Sequence, residues 1–297
     1  MLRIIADSTC DISKEDARKM GIQIVPISVR FGDEEFLDGV EITHEEFYTR
    51  LAECDELPKT SQPSPDAFMK VFNEAVADGD DVLGIFISSD LSGTYQSACL
   101  AASDVEDETG KKLYMVDSRS ASIGTALLIR EAVKLRDAGV NVSDIAAACT
   151  EMSKYIKLTA VVGSLKYLKM GGRLSGAAAF AGTMLHITPV VSIEDGKVVV
   201  IGKTRGKKAA EKLMHDKLTK DGLSLTRDFM FGHINCSESL ETFINKSLTY
   251  ISDVNGNVGV SSIGCSVGTH VGPGTYGIAY VEAAESGMNR ESIVKTA

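Results

Sequence analysis

The chain has 297 residues, is 44% hydrophobic and carries a formal net charge of -10. That length suits two hydrophobic cores, and that composition excludes a disordered chain. The acidic balance, without a large basic face, argues against nucleic acid as the main partner, and no apolar run approaches the roughly 20 residues of a membrane helix.

The opening MLRIIADSTCDIS enters a strand-like segment directly, without the basic, apolar and cleavage regions of a leader, so a cytoplasmic protein is expected. Residues 3–8 read as a first strand and QIVPISVRF, 23–31, as a second. THEEFYTRLAEC opens a helix on Thr43, with Glu46 completing a capping box. SPDAFMKVFNEAVADG offers Ser64 as N-cap and Pro65 at the first helical position, and Gly79 ends it. DVLGIFIS, 81–88, is a buried strand, and a helix is expected from Ser92 to about Ala102. KLYMVDS, 112–118, is another strand, followed by a long helix from Ala121 to Ala138 and a helix capped by Ser143. Strands alternating with amphipathic helices imply parallel βα units, a Rossmann-like sheet covered on both faces.

From about residue 158 the pattern changes. LTAVVGS, 158–164, is a strand, and the helical pieces after it are broken by Gly171 and Gly172. Asp195-Gly196 between two β-branched runs predicts a hairpin with a type I′ turn. A charged helix over 207–219, strand FMFGHIN, helix ESLETFINKSLTYI, strand VGVSSIG, a glycine-rich turn and strand TYGIAYV complete the chain. This predicts an α/β molecule of two domains, 1–158 with a parallel sheet and 159–297 of α+β type with antiparallel pairs, the last ~14 residues fraying.

Six cysteines, Cys10, Cys54, Cys99, Cys149, Cys236 and Cys265, form no C-x-x-C pair and have no histidine at sequence spacing for a metal. They read as small reduced core residues.

The chemistry-bearing stretches are rich in small hydroxyls. In SSDLSGTYQSA, Ser92 and Thr94 supply donors and Gly93 permits close backbone approach at a helix start, a setting for a phosphate or carboxylate. The alternative is that Ser92 only caps its helix. KTSQPS places Thr60 and Ser61 at a second helix start, so the two clusters could share one site. His270, among the glycines of GTHVGPG, could hydrogen-bond an acid group or act as a base, or be a plain surface residue. Arg173 in MGGRLSG suits carboxylate or phosphate recognition. The basic run GKTRGKK, around Arg205, is either a docking patch for an anionic partner or a solvated helix face. A P-loop is excluded because Gly196 precedes Gly202-Lys203-Thr204 by one residue too many, and no dinucleotide or nucleophile-elbow motif is present. A Ser92–His270–Asp triad is conceivable, though no spacing selects it.

ADST, KTSQPS, SSDLSGTYQSA, YLKMGGRLSG, KTRGKKAA and GTHVGPG occur in the order found in the DegV family, and over residues 1–283 the chain resembles the bacterial fatty-acid-binding FakB proteins. The resemblance implies an acyl chain between two domains, in a carrier without catalysis of its own. Such a carrier presents the carboxylate to a separate ATP-dependent fatty acid kinase, which makes acyl-phosphate for phospholipid metabolism. The bound acid would be palmitate, stearate or oleate, with no other cofactor and no metal. Thr60 and Ser92 fall where the family hydrogen-bonds the carboxylate, with Ser61, Gly93 and Thr94 beside them and His270 near the head group. Arg173 falls by the polar end or the kinase-facing surface, and Arg205 at a kinase-docking position. Met170 stands where the family commonly has lysine, and the tail after about Val281 has no counterpart. Ile27, Phe86, Ala177, Phe180, Met184 and Ile278 are the candidate walls of the acyl pocket, each alternatively an ordinary core residue, with the small-residue stretch 176–182 foremost among them.

Physical chemistry is consistent with that expectation. Burial at about 0.8 kcal/mol per methylene gives a chain of roughly fifteen methylenes on the order of 12 kcal/mol before ordering costs. The polar end then has only to fix direction. Neutral hydroxyls and backbone N–H groups can satisfy a carboxylate without gripping it as buried arginines would, which leaves it transferable. A serine-based hydrolase or phosphotransferase using Ser92 and His270 is the alternative.

Overall fold

A computed structural model describes residues 1–54, 56–176, 187–224, 226–251 and 256–283. The expectations for Ala177, Phe180, Met184, the helical stretch around them and the last residues of the chain fall outside these.

The first sheet is wholly parallel, in the order β2-β1-β6-β7: β1 Leu2–Asp7, β2 Ile22–Val25, β6 Asp81–Phe86 and β7 Tyr114–Asp117. Its strands alternate between two apolar layers, as a sheet buried on both faces must. Ile4, Ala6, Leu83 and Ile85 pack against α5 (Ile123–Asp137) and α6 (Val142–Met152). Ile5, Val82 and Phe86 pack on the other face against α3 (Pro65–Ala77) and α4 (Thr94–Thr109).

The second sheet is six-stranded, β10-β9-β8-β13-β11-β12. It comprises β8 Ile156–Val161, β9 Thr188–Glu194, β10 Lys197–Thr204, β11 Phe229–His233, β12 Val258–Ser262 and β13 Tyr276–Val281. The β9–β10 hairpin turns on Asp195 and Gly196, both with positive φ (48° and 81°), as a type I′ turn requires. The sheet is mixed rather than simply antiparallel. β11 and β12 run parallel because α9 (Ser237–Ser247) lies between them in the chain and returns it to the same end. One face, with Phe231, Tyr276, Ile278 and Tyr280, is covered by α8 (Lys207–Asp221) and α9. On the opposite face Met230, Ala279 and Val281 meet α5, so this helix is packed between the two sheets.

Three expectations are corrected. QIVPISVRF is two strands, because Pro26 has no N–H for a ladder. β2 ends before it, and β3 (Ser28–Phe31) joins a separate antiparallel sheet with β4 (Glu34–Leu37) and β5 (Lys59–Ser61), ordered β4-β3-β5. The cap of α6 is Asn141, whose side chain accepts from the Asp144 N–H, rather than Ser143. GTHVGPG is largely helical, with His270 on α10 (Cys265–Val271) and the glycine turn only after it. The capping box on α2 (His44–Glu53) and the Ser64 cap of α3 form as expected. Among the described residues, no helix is long and apolar enough to cross a membrane. Cys10, Cys149 and Cys265 are buried and the other three half-buried, all as free thiols.

Candidate functional site

The two hydroxyl clusters are brought together by backbone-level packing. The Ser97 hydroxyl donates to the Pro63 carbonyl (2.7 Å), which ties α4 to the turn after β5. The Gln62 side chain of this turn lies over Gly93, where a side-chain carbon would sit 2.1 Å from its amide oxygen. The helix itself begins one residue later than the serine pattern suggests. Gly93 is the N-cap, and the Ser92 hydroxyl pairs instead with the Thr94 hydroxyl (2.8 Å) and accepts weakly from the Thr94 N–H (3.3 Å).

Thr60 and Ser92 open onto a cavity of about 110 Å³ where the two sheets and α10 meet. By the same measure one water needs roughly 10–15 Å³, so the cavity has room for more than a few trapped waters. Its walls are apolar: Ile87, Leu158, Ala160, Val191, Ile193 and Val198 contribute, as does Ile27. Polar groups on the lining are Thr9, Thr60, Ser92, Ser122, Arg173, Ser266, His270 and Thr275. Apolar walls with a few placed polar groups are the general form of a small-molecule site.

His270 donates to or accepts from the Thr60 hydroxyl through Nε2 (2.9 Å). Its Nδ1 is buried and has no hydrogen-bond partner among the described residues. Burial, with a smaller contribution from the Arg173 charge, holds the imidazole down to about 4, so the ring is neutral at pH 7. If Nε2 carries the proton, the imidazole donates to Thr60 and leaves the threonine hydroxyl free to donate into the cavity. Arg173 donates to the carbonyls of Leu91 (3.2 Å) and Gly171 (2.5 Å), which fixes its guanidinium at the cavity wall.

The remaining sequence candidates sit nearby or elsewhere. Thr94 is buried behind Ser92, and Ser61, next to Thr60 on β5, is exposed because neighbouring strand residues point to opposite faces. Phe86 lies in the α3/α4 layer and Ile278 in the α8/α9 layer, and neither lines the cavity. Their chain neighbours Ile87 and Gly277 do. Arg205 is exposed beyond β10, away from the cavity.

Sequence reasoning missed a set of buried acids behind the site. Asp7 accepts from the N–H groups of Thr9 and Ile87 (2.9 Å each) and from the Thr9 hydroxyl. Asp11 accepts from the Gly264 N–H (2.8 Å) and the Ser122 hydroxyl, and burial pushes its carboxyl well above the usual range. Asp38 accepts from the N–H groups of Cys265 (3.2 Å) and Ser266 (3.0 Å) and from the Ser8 hydroxyl (3.2 Å). Asp11 and Asp38 thus satisfy the start of α10 from over 200 residues away in the chain. Ser122, at φ 53° and ψ −133°, holds a strained backbone at the cavity wall, secured by its N–H on Thr9 (2.8 Å) and its hydroxyl on Asp11. Only the ADST motif hinted at this cluster, since remote capping leaves no local spacing.

Comparison with known proteins gives consistent results. The DegV family, described as uncharacterised, matches over residues 1–283. A DegV domain-containing protein of Clostridium perfringens is 34% identical over 290 residues, covering 95% of this chain and 98% of its own. The solved structure of a fatty-acid-binding DegV family protein from Thermus thermophilus is 31% identical with a TM-score of 0.84, covering 94% of this chain and 99% of that one. A DegV lipid-binding protein from Thermotoga maritima is 30% identical with a TM-score of 0.82, covering 95% and 98%. A stearic-acid-binding protein from Eubacterium ventriosum is 29% identical with a TM-score of 0.84, covering 96% and 100%. With a family match over residues 1–283 and a 34% identical relative that covers 95% of this chain, the chain belongs to the DegV family.

Proposed function

We propose that this protein is a carrier that buries one long-chain fatty acid, such as palmitate, stearate or oleate, and presents its carboxylate to a separate cytoplasmic fatty acid kinase. The observation that carries the reading is the apolar cavity with Thr60, Ser92 and His270 on one lining, in a chain whose solved relatives bind fatty acids. The tail supplies affinity by burial, and the hydroxyls orient the head group. Thr60 donates to the carboxylate with neutral His270 behind it, and Ser92 with Thr94, beside Gly93, offers the second donor. Ser61 belongs to the surface beside the head group, Arg173 supplies positive charge at the polar end, and Arg205 belongs to the kinase-facing surface. The domain boundary that goes with this reading, at about residue 158, falls in β8 (Ile156–Val161), the first strand of the second sheet.

The carrier role is favoured over a serine hydrolase by the hydrogen bonding. Ser92 is bonded to Thr94 and His270 to Thr60, and among the described residues Nδ1 of His270 has no acceptor of the kind that orients a catalytic base. Organic extraction of the purified protein followed by mass spectrometry is expected to yield about one fatty acid per chain. Absence of any fatty acid, even after incubation with oleate or palmitate, overturns the proposal. Incubation with ATP and oleate should form no acyl-phosphate until a fatty acid kinase subunit is added, and turnover by this chain alone would make it an enzyme rather than a carrier.

A further inference from the structure

Outside the cavity, on the far side of the N-terminal end of α10, three metal-ligating side chains from three separate parts of the chain converge. One ligand atom each from the carboxylate of Asp38, the imidazole of His44 and the thiol of Cys265 all lie within 4.8 Å of one another. We infer that Asp38, His44 and Cys265 form a binding site for one transition-metal dication of the zinc type.

The donor set itself selects the metal. A thiolate, an imidazole and a carboxylate together suit zinc or cobalt, whereas magnesium and calcium prefer oxygen alone. Three protein ligands leave a fourth position for water, the pattern of an open tetrahedral site. The thiolate and carboxylate would also balance the dication's charge. Asp38 and His44, with Thr43 and Gly39, line an open groove on this face, and the buried Cys265 thiol lies behind them.

The surroundings hold the donors in place. Asp38 Oδ2 accepts from Ser266 and Ser8, Oδ1 accepts from the Cys265 N–H, and the carboxylate also pairs with the Cys265 thiol. This is the orienting support that metal-ligating carboxylates generally have. Among the described residues neither ring nitrogen of His44 has a hydrogen-bond partner, whereas the Cys265 thiol hydrogen-bonds the Asp38 carboxylate and has a long contact (4.0 Å) to the Thr43 carbonyl, so a bound metal would take the place of the thiol–carboxylate bond. Gly264 keeps the space open. A side-chain carbon there would sit 3.1 Å from His44 Nε2 and 3.6 Å from Asp38 Oδ1. On binding, a metal–sulfur bond forms and the thiol proton passes to water. The metal would then clamp the α2 segment and the turn after β4 to α10, the helix that carries His270.

The test uses tag-free, reduced, full-length protein titrated with cobalt(II) and then zinc(II). One cobalt per chain is expected, with a near-ultraviolet thiolate-to-cobalt charge-transfer band and the strong visible bands of tetrahedral geometry, both abolished by zinc. His44→Ala removes a half-buried side chain at the first helical position and leaves the capping box intact. It should weaken zinc binding by at least the roughly 10–100-fold typical of losing a ligand's supporting partner, and Cys265→Ala should remove the charge-transfer band. Circular dichroism and fatty acid content of His44→Ala should match the unmodified protein, which keeps this test separate from that of the carrier. A titration without a thiolate band, or zinc affinity unchanged in both variants, overturns the site.

Discussion

His270 and Thr60 show how much a single contact at the cavity lining can control. Each hydrogen bond from a neutral donor to a charged acceptor contributes roughly 1.5–3 kcal/mol. Thr60→Val combined with Ser92→Ala should therefore weaken fatty acid binding by at least about tenfold. A competition assay with a fluorescent fatty acid reads this, and unchanged affinity would remove both residues from the head-group site. His270 also has a signature in pH. Its folded value lies near 4 against 6.5 unfolded, so between those values the unfolded chain binds a proton that the folded chain refuses. The stability it contributes is whole above pH 6.5 and is lost as the pH falls toward 4, by up to about 3 kcal/mol. Asp7 and Asp11 act in the opposite sense, since burial raises them in the fold. Comparing urea midpoints of the ligand-free protein and His270→Gln across this range isolates the imidazole, and parallel pH profiles would rule it out. Thr60, Ser92, Arg173 and His270 drew attention in the sequence as small hydroxyls ahead of helices and as an arginine and a histidine beside glycines, and all four line the cavity. Phe86 and Ile278 were misplaced by a single residue. Strand periodicity says which residues share a face but not which face looks into the cavity.

Among the elements, α10 carries the site's histidine, yet its start is organised by residues from the other end of the chain. The Asp11 carboxyl holds the Gly264 N–H and the Ser122 hydroxyl, and Tyr48 on α2 donates to the carbonyls of Ile263 (2.9 Å) and Gly264 (3.2 Å). Asp11→Ala leaves buried partners unpaired and should cost about 1–3 kcal/mol in urea unfolding. It should also lower fatty acid affinity by letting α10, and with it His270, shift. Asn141→Ala makes the control: its cap on α6 is worth about 1 kcal/mol, but α6 does not reach the cavity, so affinity should stay unchanged. Equal affinity in both variants would show that the position of α10 does not matter to the head group. Local caps such as Thr43 and Ser64 were readable from spacing. The caps of α10 were not, because their partners lie so far apart in sequence.

For the whole molecule, the decisive feature is the packing of α5 between two sheets, with the cavity left where β8, β9 and β10 face the end of β6. If the cavity holds the acyl tail, filling it should abolish binding without unfolding the chain. Ala160→Phe, on β8, extends a ring from a buried cavity-lining position. Its circular dichroism should match that of the parent, and its organic extract should lack fatty acid. Added oleate at about 100 times its dissociation constant should stabilise the ligand-free parent by about 2.7 kcal/mol and leave the variant unmoved. Normal fatty acid content in a folded Ala160→Phe would place the tail elsewhere.

Alternating apolar patterns, glycine turns and caps were enough to establish parallel βα units followed by a hairpin-bearing second half, and to draw attention to the hydroxyl clusters, because these depend on neighbours within a few residues. The division of residues 23–31 between two sheets, the faces of β6 and β13 that meet the cavity, and the acids beneath α10 emerged only in three dimensions. Each of these depends on which distant surface a segment packs against, and local spacing carries no record of that choice.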